Sequence, residues 1–554
     1  MKKIILISIV LAYISLSANG QTPTWDWAKT IADSSGEESY GKGVSTDFAG
    51  NIYVIGGYGW GTYTFGNSIF IAHHSNNLVL VKYDPIGNII WAKNAENVNS
   101  TDCLSCDPLG NVYITGTFGS DSVTFGTVTL HNSISNGLDI YLVKYDSSGN
   151  VIWAKSAGGN SIAYTTSIVI DGIGNAYITG SLLSDSISFG SNTIYNHSID
   201  TNDIFFVKYD SSGNSIWAKT IGGNGYDEGY AVSVDFAGNI YLLGNVKTDS
   251  VYLDNNTFVN IGGFLAKFNP LGNVIWVNSF GQYVGPDNMS IDALGNLYLM
   301  ECPLGSNLGI DTVTFINNGL QATIIAKYDS SGNFHWAKIA EGYINSDEIK
   351  GNQISTDAFG NSYITGYIDA DSIYFSSNVE GYGNGGGHDL FLVKYDPNGN
   401  ALWEKSLGRN QYHGRDSYGV NADAFGNAYI TGDFTTVLSF DTISLNSNGN
   451  GDMFLAKIGS EFTSIKNVPQ NNYPVSLFPN PFSTNATLAI NGVETQLISS
   501  LWIYNVLGQE VKSINAINQK EIIINRDQLP SGMYFYKLIS NKNETLATGK
   551  MVIE

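Results

Sequence analysis

One seven-residue pattern, Asp-x-x-Gly-Asn-x-Tyr, most constrains what this chain can fold into. It begins at Asp47, Asp107, Asp171, Asp235, Asp292, Asp357 and Asp423, about 60 residues apart. Between the copies runs a second pattern, Lys-Tyr-Asp-x-x-Gly-Asn-x-x-Trp or a near variant, with Trp at 91, 153, 217, 276, 336 and 403. Both carry hairpin chemistry. A type I turn followed by Gly in the left-handed region reverses an antiparallel pair, and the leading Asp accepts hydrogen bonds from amides two residues on. Each unit is therefore four strands, A to D, joined A–B and C–D by short turns. Runs such as "DIYLVKY" and "DLFLVKY" are apolar at adjacent positions, as suits strands covered on both faces. A four-stranded sheet of this size cannot bury both faces alone, so the copies must stack, in a ring or along an open solenoid.

The ends of the repeat choose the ring. The seventh unit reaches its strand C at 453–458 and then lacks both the Gly-Asn turn and the Trp-Ala-Lys strand. The stretch "TWDWAKT", 24–30, is a strand D with nothing before it. An open solenoid gains nothing from that complementarity, whereas a ring needs its ends joined. The expectation is an all-β chain: a seven-bladed β-propeller over 24–460, closed by its N-terminal strand, then a small C-terminal β-sandwich. Units such as "AVSVDFAGNIYLLG" and "GGFLAKFNPLGNVIWVNSFG" resemble the β-propeller repeat of secreted bacterial proteins. The resemblance covers about 24–460 and implies fold and location, with no standard catalytic residues to carry over.

Residues 1–20 have a basic start at Lys2 and Lys3, an apolar run and small residues before Gln21, the form of a signal peptide. No other stretch approaches the ~20 apolar residues of a membrane span. A polar linker, 461–474, precedes a change of vocabulary at Val475. From there Pro479-Asn480-Pro481, "YNVLGQEV", "LPSGMY" and the final Lys550-Met551-Val552 occur in order. This segment, 475–554, resembles the type A sorting domain of the type IX secretion system. The resemblance implies export through the type IX machinery as a partner, and a secreted or surface-attached protein.

With 27 basic and 49 acidic residues the net charge is −22, which argues against nucleic acid and anionic membranes as partners. Cys103 and Cys106 have a metal-like spacing but no second ligand pair nearby, and Cys302 stands alone, so packed or free thiols are expected. Calcium is the one cofactor the repeated Asp residues bring to mind. Each turn offers a single carboxylate where calcium needs 6–8 oxygens, so a turn role is preferred and no cofactor is expected.

No catalytic, cofactor-binding or metal set is nominated. The adjacent His73 and His74, the group His413, Arg415 and Asp416, and the paired Asp227 and Glu228 are the polar groupings closest to a site. Adjacent residues on a strand point to opposite sides, which speaks against the carboxylate pair as glycosidase machinery. The B–C and D–A connections, such as 57–77, 378–390 and 407–419, are long and varied, as a binding face would be. Asp-Ser/Thr-aliphatic triplets at Asp121, Asp185, Asp249, Asp311, Asp371 and Asp441 read either as O-glycosylation acceptors, which they resemble, or as strand starts. The function expected is a secreted or cell-surface binding and adhesion module whose ligand is a glycan, a matrix component or a protein. A glycan-degrading hydrolase or lyase and a structural surface module remain open alternatives.

Overall fold

The computed structural model describes residues 22–459 and 475–553 apart from short segments, among them 282–287, 343–347, 384–387, 408–413, 448–450 and 491–497. The signal-peptide and linker readings lie outside the described residues.

Among the described residues, seven four-stranded antiparallel arrays follow the A-B-C-D order. The first is Ser39–Thr46, Ile52–Tyr58, Asn77–Tyr83 and Ile89–Glu96. The second is Ser100–Cys106, Val112–Phe118, Asp139–Tyr145 and Val151–Gly159. The A strands of the remaining blades are Ala163–Ile170, Asp227–Val234, Asn288–Ile291, Glu348–Thr356 and Gly414–Ala422. In the last array, strand D is supplied by Trp25–Thr30, which pairs with Asp452–Ile458 through Ala28↔Ala456 and Thr30↔Phe454. Each A strand packs against the next, and the last packs against the first, so the sheets form a closed β-propeller.

The core is divided among the blades. Seven apolar clusters each draw on two neighbouring sheets. One joins Ile55, Leu78 and Leu80 of the first blade to Val112, Ile114 and Val143 of the second. B and C strands are therefore buried on both faces, which explains their unbroken apolar runs.

The turn glycines explain why Gly-Asn and Trp travel together. Gly149 has φ +82°, and an added Cβ would lie 2.6 Å from Lys93 Cε and 3.0 Å from the Trp91 ring of the preceding blade. Trp27 of the N-terminal strand meets Gly87 in the same way. Gly190 also has positive φ (+61°) but faces open space. Gly149→Ala is therefore expected to cost about 2–4 kcal/mol, strain plus overpacking, and Gly190→Ala about 1 kcal/mol, strain alone. Guanidinium unfolding of the two variants measures the difference, and equal losses would refute the inter-blade role.

In the C-terminal segment a three-stranded sheet (Val475–Phe478, Asn485–Ile490, Glu521–Asn525) shares one core with a four-stranded sheet. The latter runs in the order Glu510–Asn515, Ile498–Asn505, Gly532–Ser540, Thr545–Ile553. Ala486, Leu488 and Ile524 belong to the first side of that core, and Leu501, Ile503 and Leu538 to the second.

Candidate functional site

The most repeated residues turn out to hold the ring together. Asp47 Oδ1 accepts from the amides of Ala49 and Asn51, both at 2.9 Å, and Oδ2 accepts from Asn51 Nδ2 at 2.7 Å. The Tyr53 hydroxyl, 3.2 Å from Asp47 Oδ2, donates to the Gly110 carbonyl of the next blade's turn at 2.8 Å. Burial first, and neighbouring negative charge second, push the Tyr53 phenol far above its ordinary range, so it stays a donor. Lys82 Nζ lies 4.9 Å from the Tyr53 ring centre and donates to the Ser147 carbonyl of the next blade at 2.9 Å. Burial pulls the Lys82 ammonium below its usual range, against the opposing pull of Asp47. Trp91 Nε1 reaches the same carbonyl at 3.2 Å. Lys144 and Trp153 grip Ser211 O in this way, and Lys327 and Trp336 grip Pro397 O. The turn carboxylates are thus engaged by amides, Asn side chains and Tyr. Among the described residues no group of three or more His, Cys, Asp or Glu is placed to hold a metal ion.

One position of the inner strand changes from blade to blade. Among the described residues six A strands carry a β-bulge, at which the ladder register with strand B skips Lys42, Asp102, Thr166, Tyr230, Asn352 and Tyr418. Each lies five residues before its turn Asp, roughly 16 Å along the strand and so toward the face of the D–A connections. The matching residue of the remaining blade, Asp287, lies outside the described residues. A bulge at an inner edge re-aims a side chain, and bulges concentrate next to functional sites. These six share no chemistry: one cation, one acid, one hydroxyl, one amide and two phenols. Lys42 Nζ lies 5.2 Å from the Tyr418 ring centre, and the Tyr230 hydroxyl donates to Glu228 Oε2 at 2.9 Å. Thr166 Oγ1 donates to Gly229 O at 2.7 Å.

An inner edge strand has amides with no sheet partner. Side chains of the preceding blade accept from several. Val232 N donates to Ser167 Oγ (3.1 Å), Thr356 N to Ser290 Oγ (3.0 Å), Ala422 N to Ser355 Oγ (2.9 Å) and Val420 N to Gln353 Oε1 (2.7 Å). These bonds tie neighbouring inner strands together beside the bulge residues.

The nominated segments fare differently. The B–C connections are hairpins rather than free loops, among them Gly61–Phe65 with Ser68–Ala72, and Ser186–Phe189 with Asn192–Tyr195. They belong to the outer side: Gly158 and Gly159 of one blade pair with Ser188 and Ile187 of the next blade's hairpin. The long B–C segments, read from the sequence as loops, are thus largely paired strands. The Asp-Ser/Thr triplets also divide. Ser122, Ser186 and Ser372 start hairpin strands, whereas Asp311 and Asp441 occupy hairpin turns with φ of 55° and 51°, the role that Gly126 and Gly190 play elsewhere. Asp tolerates that conformation better than most residues.

His73 Nδ1 lies 3.9 Å from Glu96, and the His74 ring stands beside Trp60. His413 and the side chains of Arg415 and Asp416 lie outside the described residues. Cys103 Sγ lies 3.0 Å from Thr166 O and Cys302 Sγ 3.2 Å from Gly351 O; burial pushes the Cys106 thiol up, and all three cysteines are free thiols. Asp227 and Glu228 are parted, Glu228 meeting Tyr230 while Asp227 turns into the protein.

There Asp227 meets a carboxylate that sequence reasoning missed. Asp203, at the head of a C strand, accepts from the His197 amide at 2.8 Å and faces His197 Nδ1, while its Oδ1 has no hydrogen-bond partner among the described residues. Asp227 accepts from the amides of Gly223 and Lys247, each at 2.9 Å. Both Asp residues are buried. A Cβ on Gly222 would lie 2.3 Å from Asp203 Oδ1 and 2.6 Å from Asp227 Oδ2, so the two carboxylates converge on that glycine. Burial pushes Asp203 up and Asp227 up to about 6. The available signal was the recurrent Asp that opens "DIYLVKY", "DIFFVKY", "DLFLVKY" and "DMFLAKI". Asp139 caps its own B–C return in the same way, through Ser133.

Comparison with known proteins places the C-terminal segment most firmly: residues 476–554 match the family described as secretion system C-terminal sorting domain. An uncharacterized WD repeat-containing protein of Acanthamoeba polyphaga mimivirus is 25% identical over 59% of this chain and 29% of its own length. A regulatory protein, FlaEY, of Caulobacter vibrioides is 30% identical over 20% of this chain and 12% of its own. The chain thus spans less than a third of either relative. Among solved structures, the Pan2 WD40 domain of Neurospora crassa aligns with TM-score 0.36 and 7% identity over 77% of this chain and 95% of that one. A fungal alcohol oxidase in complex with copper aligns with TM-score 0.40 and 10% identity over 96% and 100%. Likeness at these scores carries no functional argument. The chain is a β-propeller repeat protein with a C-terminal type IX sorting domain, and so one exported to the cell surface or beyond.

Proposed function

We propose that this is an exported binding module whose ligand is taken at the inner rim, on the face of the D–A connections. One observation carries the reading: the bulge position recurs blade after blade in the same place, yet its side chain differs almost every time, while the positions that hold the ring repeat. Phenol rings beside hydroxyl, amide and charged groups suit a glycan, whose apolar faces stack on rings and whose hydroxyls take paired hydrogen bonds.

The test is a screen of the protein on bacterial, algal and host glycans, with and without calcium, followed by Tyr230→Ala, Asn352→Ala and Tyr418→Ala. Each is expected to weaken binding about tenfold or more, as loss of a central contact does, while Leu109→Ser on the opposite face leaves it unchanged. Binding indifferent to all three rim substitutions overturns the site. Saturable binding to a protein partner but to no glycan, still lost with the rim variants, keeps the site and changes the ligand class.

A further inference from the structure

The short A–B turns carry something their geometry does not require. Each has an exposed apolar side chain at its tip: Phe48 and Phe236 in "DFAG" turns, Phe359 and Phe425 in "DAFG" turns, with Leu109, Ile173 and Leu294 in the others. The C–D turns share the Asp-x-x-Gly-Asn form and are mostly polar there, with Ser147-Ser148, Ser211-Ser212 and Ser330-Ser331; Ile86 and Leu271 are the exceptions. The turn tolerates polar tips. One apolar tip per blade, all on the face opposite the candidate rim, makes a crown, and apolar surface gathered in this way marks a contact site.

We infer that the crown is the seat of the chain's own C-terminal domain. The Phe535 ring lies edge-on to Phe425, with centroids 6.2 Å apart. A cleft of about 210 Å³ between them is lined by Phe48, Gly50, Ala424, Phe425 and Phe535. Phe535 is on the outward side of its strand, since its neighbours Tyr534 and Tyr536 belong to the core of the C-terminal domain. It sits directly opposite Tyr504, whose ring neighbours Trp502, so the sheet presents a row of three aromatic side chains. The identical turns "DFAGNIY" supply an internal comparison. Phe236 is 81% exposed, whereas Phe48, beside Phe535, is 38% exposed. The C-terminal domain thus covers the blades where the ring closes and leaves the far side of the crown open.

Hydroxyl-radical footprinting of the full chain, read by mass spectrometry at low protein concentration, tests this. Phe48 is expected to be oxidised about twofold more slowly than Phe236, the ratio of their exposures. In Phe535→Ser the two rates should converge through a rise at Phe48 alone. Phe425→Ser gives the reciprocal readout, faster oxidation of Phe535, should the first variant fail to fold. Equal rates in the unmodified chain, or a ratio that neither substitution moves, overturn the proposal. Protection of Phe48 that grows with protein concentration also overturns it, in favour of a second copy.

Discussion

A chain lacking residues 22–31 should lose several kcal/mol of stability and begin to associate with itself. Strand Trp25–Thr30 is the outermost strand of the last blade, and its side chains fill the seams on either side of it. Trp25 is buried edge-on to Phe440, with centroids 4.9 Å apart, and Trp27 packs on Gly87 of the first blade and toward Tyr429. Ile31 is buried with the first blade's core, and its amide donates to Met453 O at 2.9 Å. Burial of two Trp side chains, an Ala and an Ile is worth on the order of 5–10 kcal/mol before chain entropy is set against it. Removal also leaves Asp452–Ile458 as an apolar edge strand, a template for pairing with another copy. The expected result is a melting temperature lowered by ten degrees or more, together with concentration-dependent oligomers by size exclusion. A synthetic peptide of residues 22–32, added in trans, should restore both. Trp25→Ala alone should cost about 3–5 kcal/mol. A truncated monomer that melts within two or three degrees of the intact chain would show that the ring does not depend on this closure.

The same strand shows what was legible beforehand. The missing half-unit at one end of the repeat and its counterpart at the other are visible because turn and strand chemistry are local: Gly for positive φ, Asp for the turn amides, Trp for the seam. Fold class and strand order follow from counting such signals. The B–C hairpins escaped for a physical reason. Their two-residue turns use Gly66, Gly126 and Gly190 in some blades and Asp311 and Asp441 in others, so no single pattern repeats. The rim escaped because a bulge is a property of pairing: nothing in "SYGKGVST" announces that the ladder skips Lys42, and this emerges only when Gly41 pairs with Gly56 and Gly43 with Ile55. The meeting of Asp203 with Asp227 joins two connections whose approach no local pattern encodes.

The burial of Asp227 should give the protein's stability a distinctive dependence on pH. Burial holds the proton on Asp227 up to about pH 6, whereas in the unfolded chain the same carboxyl gives it up near pH 3.9. Between those values the folded state binds more protons than the unfolded one, so this residue's contribution to stability falls as pH rises through the window and is flat above it. Two pH units correspond to about 3 kcal/mol, lost between roughly pH 4 and pH 6. Exposed turn carboxylates such as Asp84, Asp146 and Asp210 slope the other way. Hydrogen bonds from their Asn partners and turn amides hold them below the usual range, so their contribution is present above about pH 4 and fades in acid. The two effects are separated by subtraction. Asp227→Asn removes the titrating group, and the variant's stability relative to the unmodified chain should rise by about 2 kcal/mol from pH 4.5 to pH 7.5, whatever constant offset the amide introduces. Guanidinium midpoints at the two pH values give the number. A difference that stays fixed across that interval would mean that Asp227 is already ionised in the fold.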